Sequence, residues 1–250
     1  MKMLDRNFAH MFCATQQIAR CLAQEFNEKL SSLPRVHSCT PRVALLDCSI
    51  YQVFDFTFGH VSLLVEERLD ESKWHKWNRN DGYVEGMKSA PRFSQETLRR
   101  QMAKLSGLDD IHEEEEDEEE ESESDHEAII RYTPSHLAQA FSHFSYWATG
   151  RKRLVCDLQG LYCSTANLLK LSDPVIHYYD HLREDRRQVH GRADCGRKGI
   201  AKFFESHVCS ALCKLMIRGL KFIKSSRARE KASMTWYKES RKGDASSTGS

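Results

Sequence analysis

The sequence predicts an α+β fold on three observations. Between Ala14 and Leu30, Ile18, Cys21, Leu22, Phe26 and Leu30 recur at helical spacing, with Arg20, Gln24 and Glu28 free to face outward. From Arg42 to Phe58, Val43, Leu45, Ile50, Val53, Phe54, Phe56 and Phe58 favour strands, and Val61 to Val65 adds another after Gly59. From Pro134 to Trp147 a second helical stripe returns and leads into the apolar strand Leu154-Val155-Cys156. The arrangement expected is a set of antiparallel strands joined by short turns, with a helix packed on one face.

The first helix must end before Pro34. After the strands, Glu66-Glu67-Arg68-Leu69 closes the last one. Lys73 to Gly82 has neither helical nor alternating pattern, and its Asn, Asp and Gly mark turns. Its two tryptophans and basic groups suit either base stacking or ordinary loop packing. Ser89 to Ala128 reads as linker, with a short helix expected over Gln95 to Leu105. The acidic run beyond it has little to bury and repels itself. Ser122 and Ser124 lie among the acids as candidate phosphorylation sites. Pro134-Ser135 opens the second long helix, whose stripe is Leu137, Ala140, Phe141, Phe144 and Trp147. Gly150 ends it, and His136 and His143, seven apart, share a face. Ser164 to Lys170 reads as short helix or loop, Ser172-Asp173-Pro174 as a turn or helix start, and Asp180 to His190 as an exposed charged stretch. Ile200 to Met216 has one continuous helical period, and the chain past Leu220 carries eight Lys or Arg against three acids, a basic tail.

Composition narrows the class. No run of about 18 apolar residues is present, so no membrane-spanning helix is expected, and Met1 to Asp5 opens no secretory leader. Nine cysteines without a leader fit reduced thiols, some buried and some on metal, in a cytoplasmic protein. The net charge of +1 hides a division. Asp109 to Glu127 holds 14 of the 36 acids, and the remaining 22 face 37 Lys and Arg, a net +15. A basic body with an acidic segment suits acidic peptides, nucleotides or nucleic acid, or a segment that folds back over its own basic groove.

Three constellations carry chemistry. In Leu154-Val155-Cys156-Asp157-Leu158-Gln159-Gly160 an apolar strand ends in a carboxylate and an amide two apart, which share a face if the strand continues. Such a pair can hold a metal or orient a hydroxyl; it can equally be a strand ending in an Asx-type turn. His207-Val208-Cys209-Ser210-Ala211-Leu212-Cys213 offers an imidazole and two thiols four apart on one helix face, the ligand types zinc prefers. His143 is a candidate fourth ligand, and the alternative is two buried free cysteines beside a surface histidine. Gly191 to Gly199 can turn several amides inward around an anion, helped by Arg192, Arg197 and Lys198, or can be a simple turn before the last helix. Asp157, Gln159 and Asp173 together are oxygen donors of the kind Mg2+ takes.

The run Ala138 to Phe144, then Leu154 to Gly160, Ser172-Asp173-Pro174, Gly191 to Gly199 and His207 to Cys213, taken in order, resembles the alpha-type atypical protein kinases over most of positions 12 to 220. The resemblance implies a two-lobed fold with ATP between the lobes and serine/threonine kinase activity on a protein substrate. It implies a C-terminal lobe stabilised by structural Zn2+ on His143, His207, Cys209 and Cys213. It implies Asp157 as the residue that orients or deprotonates the substrate hydroxyl, with Gln159 and Asp173 holding Mg2+. Glu66 matches a glutamate on the adenine side, and Lys76, Asn78 and Asn80 match a lysine and asparagine loop near the cleft. Gly191 and Gly196 match a glycine-rich loop associated with peptide substrate. The divisions implied are a partial N-terminal lobe at 12–88, an acidic insertion at 89–130, a catalytic lobe at 131–220 and a tail at 221–250. The first helix matches the segment that follows the family's ATP-binding lysine, and Lys2 and Lys29 stand elsewhere. The expectation is therefore an N-terminal lobe that is truncated or one that has lost ATP coordination. Asp173 also lies further beyond Gln159 than in the family. Two alternatives stand beside the kinase: an inactive relative kept as a binding or scaffolding module, and a nucleic-acid-binding protein, which the resemblance disfavours.

Overall fold

A computed structural model describes residues 6–34, 36–81, 83–84, 131–182 and 188–218. The acidic run, Ser122 and Ser124, the expected helix over 95–105 and the basic tail lie outside these residues.

Helix α1 (Arg6–Ser32) starts a full two turns before the Ala14 expected from its stripe. Its inner face buries Ala19, Leu22, Ala23, Phe26 and Leu30. Phe26 sets its ring edge-on to Phe141 and Phe144, with centroids 5.6 and 5.5 Å apart. Both partners belong to α2 (Pro134–Ala148). The start of α2 is fixed locally, by Pro134 in the first turn and a capping box between Thr133 and His136. That box keeps His136 at the exposed helix start, whereas His143, two turns on, is buried.

The strands are β1 (Arg42–Leu45), β2 (Cys48–Asp55), β3 (Gly59–Glu66), β4 (His75–Lys76), β5 (Arg153–Cys156), β6 (Gln159–Cys163), β7 (Leu168–Ser172) and β8 (Val175–Tyr178). They form a four-stranded sheet in the order β1-β7-β6-β4 and two antiparallel pairs, β2-β3 and β5-β8. Two expectations are corrected here. β1 pairs in parallel with β7, Arg42 opposite Leu168, so the sheet is mixed rather than wholly antiparallel. The second half of Ser164–Lys170 is strand, because Leu169 and Leu171 bury their side chains in the main core. That core lies between α1, α2 and the sheet, with Val43, Leu45, Val155, Leu158 and Ile176 meeting the helices.

The C-terminal helix is broken where its hydrophobic period predicts continuity. Helix α3 (Gly196–Ser206) ends, His207 to Ser210 are non-helical, and α4 (Ala211–Ile217) begins on a Ser210 cap whose Oγ accepts from the Cys213 amide (3.2 Å). The reason is visible in the packing. Ile200 and Phe203 join a cluster with Tyr146 and Leu154, while Leu212 and Met216 enter the main core. One straight helix cannot serve both. Two smaller corrections concern polarity. Asp180 is buried and paired with Lys152 (2.6 Å) rather than exposed. Trp77 is buried in the main core and only Trp74 of the tryptophan loop is exposed, which removes half of the stacking pair that nucleic acid would use.

Gly160 is where β6 can be tested. Its φ is +150°, and a Cβ there would run into the Lys170 carbonyl of the neighbouring strand. Gly160→Ala is expected to cost about 2–3 kcal/mol through strain and overpacking. Urea denaturation checks this, and a variant as stable as the parent would show that the β6–β7 pairing is not as described.

Candidate functional site

The site is built on one rung of the sheet. Lys76 of β4, Gln159 of β6 and Ser172 of β7 stand opposite one another in register. Cross-strand neighbours point to the same face, so the three side chains form a row. Two turns flank it. Asp157, between β5 and β6, has φ +59°, and Asp173, between β7 and β8, has φ +50°. Aspartate is one of the few residues that takes this left-handed conformation without large cost. The strand geometry thus does not persist through Asp157, and its carboxylate is brought to the row by the turn instead. The Lys76 ammonium meets Asp157 Oδ1 at 2.8 Å, and the Gln159 amide nitrogen lies 3.5 Å from Oδ2. The fourteen-position step from Gln159 to Asp173 is taken up by the β6–β7 hairpin, which returns the chain to the same edge.

Glu66, at the end of β3, enters the row from the other side. Ser172 Oγ donates to its Oε2 (2.6 Å), and Gln16 of α1 donates a short hydrogen bond to its Oε1. Gln16 is buried and its amide also donates to the Leu46 carbonyl (2.9 Å). Sequence reasoning missed Gln16 and Ser172. Gln16 lies two residues before the apolar stripe begins at Ile18, so the stripe gave no signal for it.

Asn78 does not face the open side of this row. It is fully buried, donates to Ser142 Oγ (3.0 Å) and Gln139 Oε1 (3.3 Å), and accepts from the Leu158 amide (3.0 Å). It pins the Asp157 turn to α2. Asn80 lies in the turn that follows, its backbone against the ring of His177.

The glycine cluster holds an anion, but an internal one. The buried Asp194 carboxylate accepts from the amides of Tyr178 (2.9 Å), Gly196 (2.9 Å) and His190 (3.2 Å). Of the loop's own amides, Gly196 is thereby committed to Asp194 and Cys195 to His177 Nδ1 (3.1 Å), so these two are not available to a phosphate. Gly191 (φ +97°) and Gly196 (φ +57°) supply the left-handed bends that wrap the loop round Asp194. Gly191 also lets the loop approach Met11 of α1.

His143, His207, Cys209 and Cys213 form a second constellation, with ligand atoms all within 4.8 Å of one another. His143 Nδ1 lies 3.1 Å from His207 Nε2 and 3.3 Å from Cys209 Sγ, and Cys213 Sγ lies 3.6 Å from His207 Nε2. A tetrahedral ion with bonds of roughly 2.0 Å to nitrogen and 2.3 Å to sulfur has edges of about 3.3–3.8 Å, which these three separations approach, and two imidazoles with two thiols are a donor set that suits zinc. Burial, and for His143 also the neighbouring His207, lowers both imidazoles to about 4, which keeps them in the neutral ligating form. Cys209 and Cys213 are not on one helix face as expected. The break at Ser206 puts Cys209 in the connection and Cys213 in α4.

Asp173 carries the clearest electrostatic signature of the row. Partial burial of its carboxyl, then the charges of Asp157 and Glu66, raise it to about 6 against the opposing pull of Lys76. An acid raised in the folded chain is ionised at a cost above that value and is relieved as pH falls through it. Asp173→Asn is therefore expected to be the more heat-stable protein at pH 8. Its advantage is modest, under about 1 kcal/mol, because solvent screens an exposed residue, and it fades below pH 5. Thermal melts across pH check this. An advantage that is the same at pH 5 and pH 8 would exclude the carboxyl charge as its source.

Residues 2–100 and 122–213 match the sequence profile of the Alpha-kinase family. Alpha-protein kinase vwkA of Dictyostelium discoideum is 41% identical over 80 residues, 32% of this chain and 12% of that protein. Eukaryotic elongation factor 2 kinase of Homo sapiens is 36% identical over 87 residues, 35% of this chain and 10% of that protein. The matched stretches thus span only a small part of these relatives. Among solved structures, the alpha-kinase domain of myosin heavy chain kinase A in complex with ADP superposes with a TM-score of 0.52 at 20% identity, covering 85% of this chain and 60% of that one. Its complex with AMP-PNP gives the same TM-score over 88% of this chain and 59% of that one. The profile covers well over half of the sequence and the architecture agrees with it: the chain belongs to the alpha-kinase family.

Proposed function

We propose that this chain carries the phosphoryl-transfer site of a serine/threonine protein kinase that moves the γ-phosphoryl group of ATP to a protein hydroxyl. One observation carries the reading. Asp157 is held in a left-handed turn at a strand end, with Lys76 on one carboxylate oxygen and Gln159 beside the other. A carboxylate so fixed can accept the proton of an incoming hydroxyl, while Lys76 supplies positive charge where phosphate oxygens gather. Gln159 and Asp173 are the oxygen donors that would hold Mg2+. Bound there, the ion would neutralise charge on the transferred phosphate. Burial first, then the charges of Asp157 and Glu66, raises Asp173, and a cation would relieve the repulsive part, which fits this donor set. Glu66, fixed at both oxygens by Gln16 and Ser172, would meet the adenine side. Asn78 would act by positioning, through the Leu158 amide, and Asn80 would lie beside the cleft. Gly191 and Gly196 would shape the substrate loop, with Asp194 as its internal anchor. The related structures bound to ADP and AMP-PNP support a nucleotide in this family.

Zn2+ on His143, His207, Cys209 and Cys213 is the structural metal of this reading. It would tie α2 to the connection before α4 and leave no ligand position open for chemistry. Residues 12–88 would form the N-terminal part of the domain, 131–220 the catalytic part, 89–130 an inserted acidic segment and 221–250 a tail. No helix among the described residues is long and apolar enough to cross a membrane, and a cytoplasmic setting is proposed with this.

A second reading, a scaffolding module without catalysis, draws on the β2–β3 hairpin. Tyr51, Phe54, Phe56 and Phe58 are all more than half exposed there. Calorimetric titration of the chain with ATP and Mg2+, followed by transfer of labelled phosphate to serine and threonine peptides, separates the two. Binding and transfer are expected. A folded chain that binds no ATP would replace the kinase with the scaffold.

A further inference from the structure

Cys13 on α1 and Cys48 at the start of β2 bring their sulfurs to 2.8 Å, across 35 positions of sequence. Both are free thiols and both are half-buried. The pair does not belong to the metal constellation or to the row around Asp157, but it adjoins the latter. Cys48 stands directly opposite Glu66 in the β2–β3 register. Gln16, which bonds Glu66, lies one helical turn after Cys13 on the same side of α1. One face of α1 thus meets one end of the hairpin through a thiol pair and a carboxylate bond side by side.

We propose that Cys13 and Cys48 are an oxidation-responsive pair, closed by peroxide to a disulfide that staples α1 to β2 beside Glu66. The separation is already short of two sulfurs in ordinary contact, and a bond of about 2.05 Å needs a movement of less than 1 Å. One thiolate attacks peroxide: an S–O bond forms, the O–O bond breaks, and the expelled hydroxide takes up the proton that the thiol gave off, leaving a sulfenic acid and one water. The second thiol then attacks that sulfur. The S–S bond forms, the S–O bond breaks, and hydroxide leaves with the attacking thiol's proton as a second water. Two thiols lose two electrons, and peroxide gains them.

The surroundings set the resting state. Burial chiefly, and Glu66 in part, raise both thiols, and Cys48 more strongly through its contact with Cys13. Both are therefore protonated at neutral pH and are slow toward mild oxidants. Formation of the first sulfenic acid is the slow step, and once it forms the link closes quickly because the partner sulfur is already in place. Cys39 and Cys195 are exposed, so a sulfenic acid formed there is open to capture by a small thiol.

The chemistry does not depend on the proposed kinase activity, and the test reads it separately. The full chain, loaded with zinc, is treated with hydrogen peroxide, alkylated and digested without reduction. Mass spectrometry is expected to find one dominant linked peptide pair, joining Cys13 to Cys48. The oxidised protein is expected to melt about 5 °C higher, because the link constrains the unfolded chain, and dithiothreitol should reverse the shift. Cys13→Ser and Cys48→Ser should each lose both effects. Recovery of Cys13 and Cys48 as alkylated thiols, while Cys39 or Cys195 is oxidised, would overturn the proposal. So would either cysteine linked mainly to a different partner. The peptide map is read on the parent chain, so a variant that fails to fold does not shelter the proposal.

Discussion

Cys209→Ser is expected to strip the chain of zinc and unfold the region around α4. Cys209 is exposed, so replacing sulfur by oxygen there sacrifices almost no packing. Any large loss of stability must then come from the metal. Cys213→Ser should lose the metal equally, with an added packing term, because Cys213 is fully buried in the main core. The magnitude follows from what the ion closes. α4 is seven residues long, too short to persist alone, and Leu212 and Met216 are its anchors in the core. A structural zinc site contributes on the order of 10 kcal/mol in small domains, comparable to the whole stability of an ordinary domain. Elemental analysis should fall from about one zinc per chain to near zero, with loss of cooperative unfolding. Cys156→Ser is the control: it is buried away from the cluster and should cost about 1–3 kcal/mol with its zinc retained. Zinc loading has a second signature. Trp147 donates its indole N–H to His143 Nε2 (2.9 Å), which puts the ring proton on Nδ1. A zinc at Nδ1 takes that place and sends the proton to Nε2, against the indole N–H. Loading should therefore release this bond and change the emission of Trp147. A parent chain that is well folded and free of metal would sink the zinc reading altogether.

How much of this could be read in advance depended on the range of each interaction. The stripes of α1 and α2 were legible because a helix buries neighbours three and four apart, and Phe26, Phe141 and Phe144 meet as that spacing implies. The four candidate metal ligands were legible by chemistry, and the structure brings them together. The break that makes this possible was not, since the apolar period runs unbroken from Ile200 to Met216 while the two halves serve different clusters. Only Ser210, as a helix cap, hinted at it. The parallel pairing of β1 with β7 joins residues 126 positions apart, and nothing local encodes it. Asn78 was assigned to the cleft by its motif, yet its amide is consumed by Leu158, Ser142 and Gln139. In the glycine cluster the aspartate decides which amides are taken. A carboxylate two residues before a glycine commonly takes that amide for itself, and Asp194 does.

Asp157→Asn should reduce phosphoryl transfer by roughly 10²–10⁴-fold while leaving fold and nucleotide binding in place. Asparagine is the right replacement because the position has φ +59°, which Asn tolerates and Ala pays for with about 1 kcal/mol of strain. It keeps the shape and an acceptor oxygen but cannot take a proton. It also leaves Lys76 without its ion pair, so the lysine becomes free to follow the phosphate. If the carboxylate works by accepting the hydroxyl proton, kcat falls and KM for ATP changes little. If Asp157 instead holds charge needed for binding, KM for ATP rises with kcat, and the assignment of proton acceptor fails. A second reading on the same variant guards against misattribution. Asp157 is one of the charges that raise Asp173, so its removal should bring the Asp173 titration down from about 6. Carboxyl-resolved NMR would follow that shift without any turnover. A variant that loses activity without moving Asp173 would mean that the two acids do not share the electrostatic field described here, and the row from Lys76 to Ser172 would have to be rebuilt.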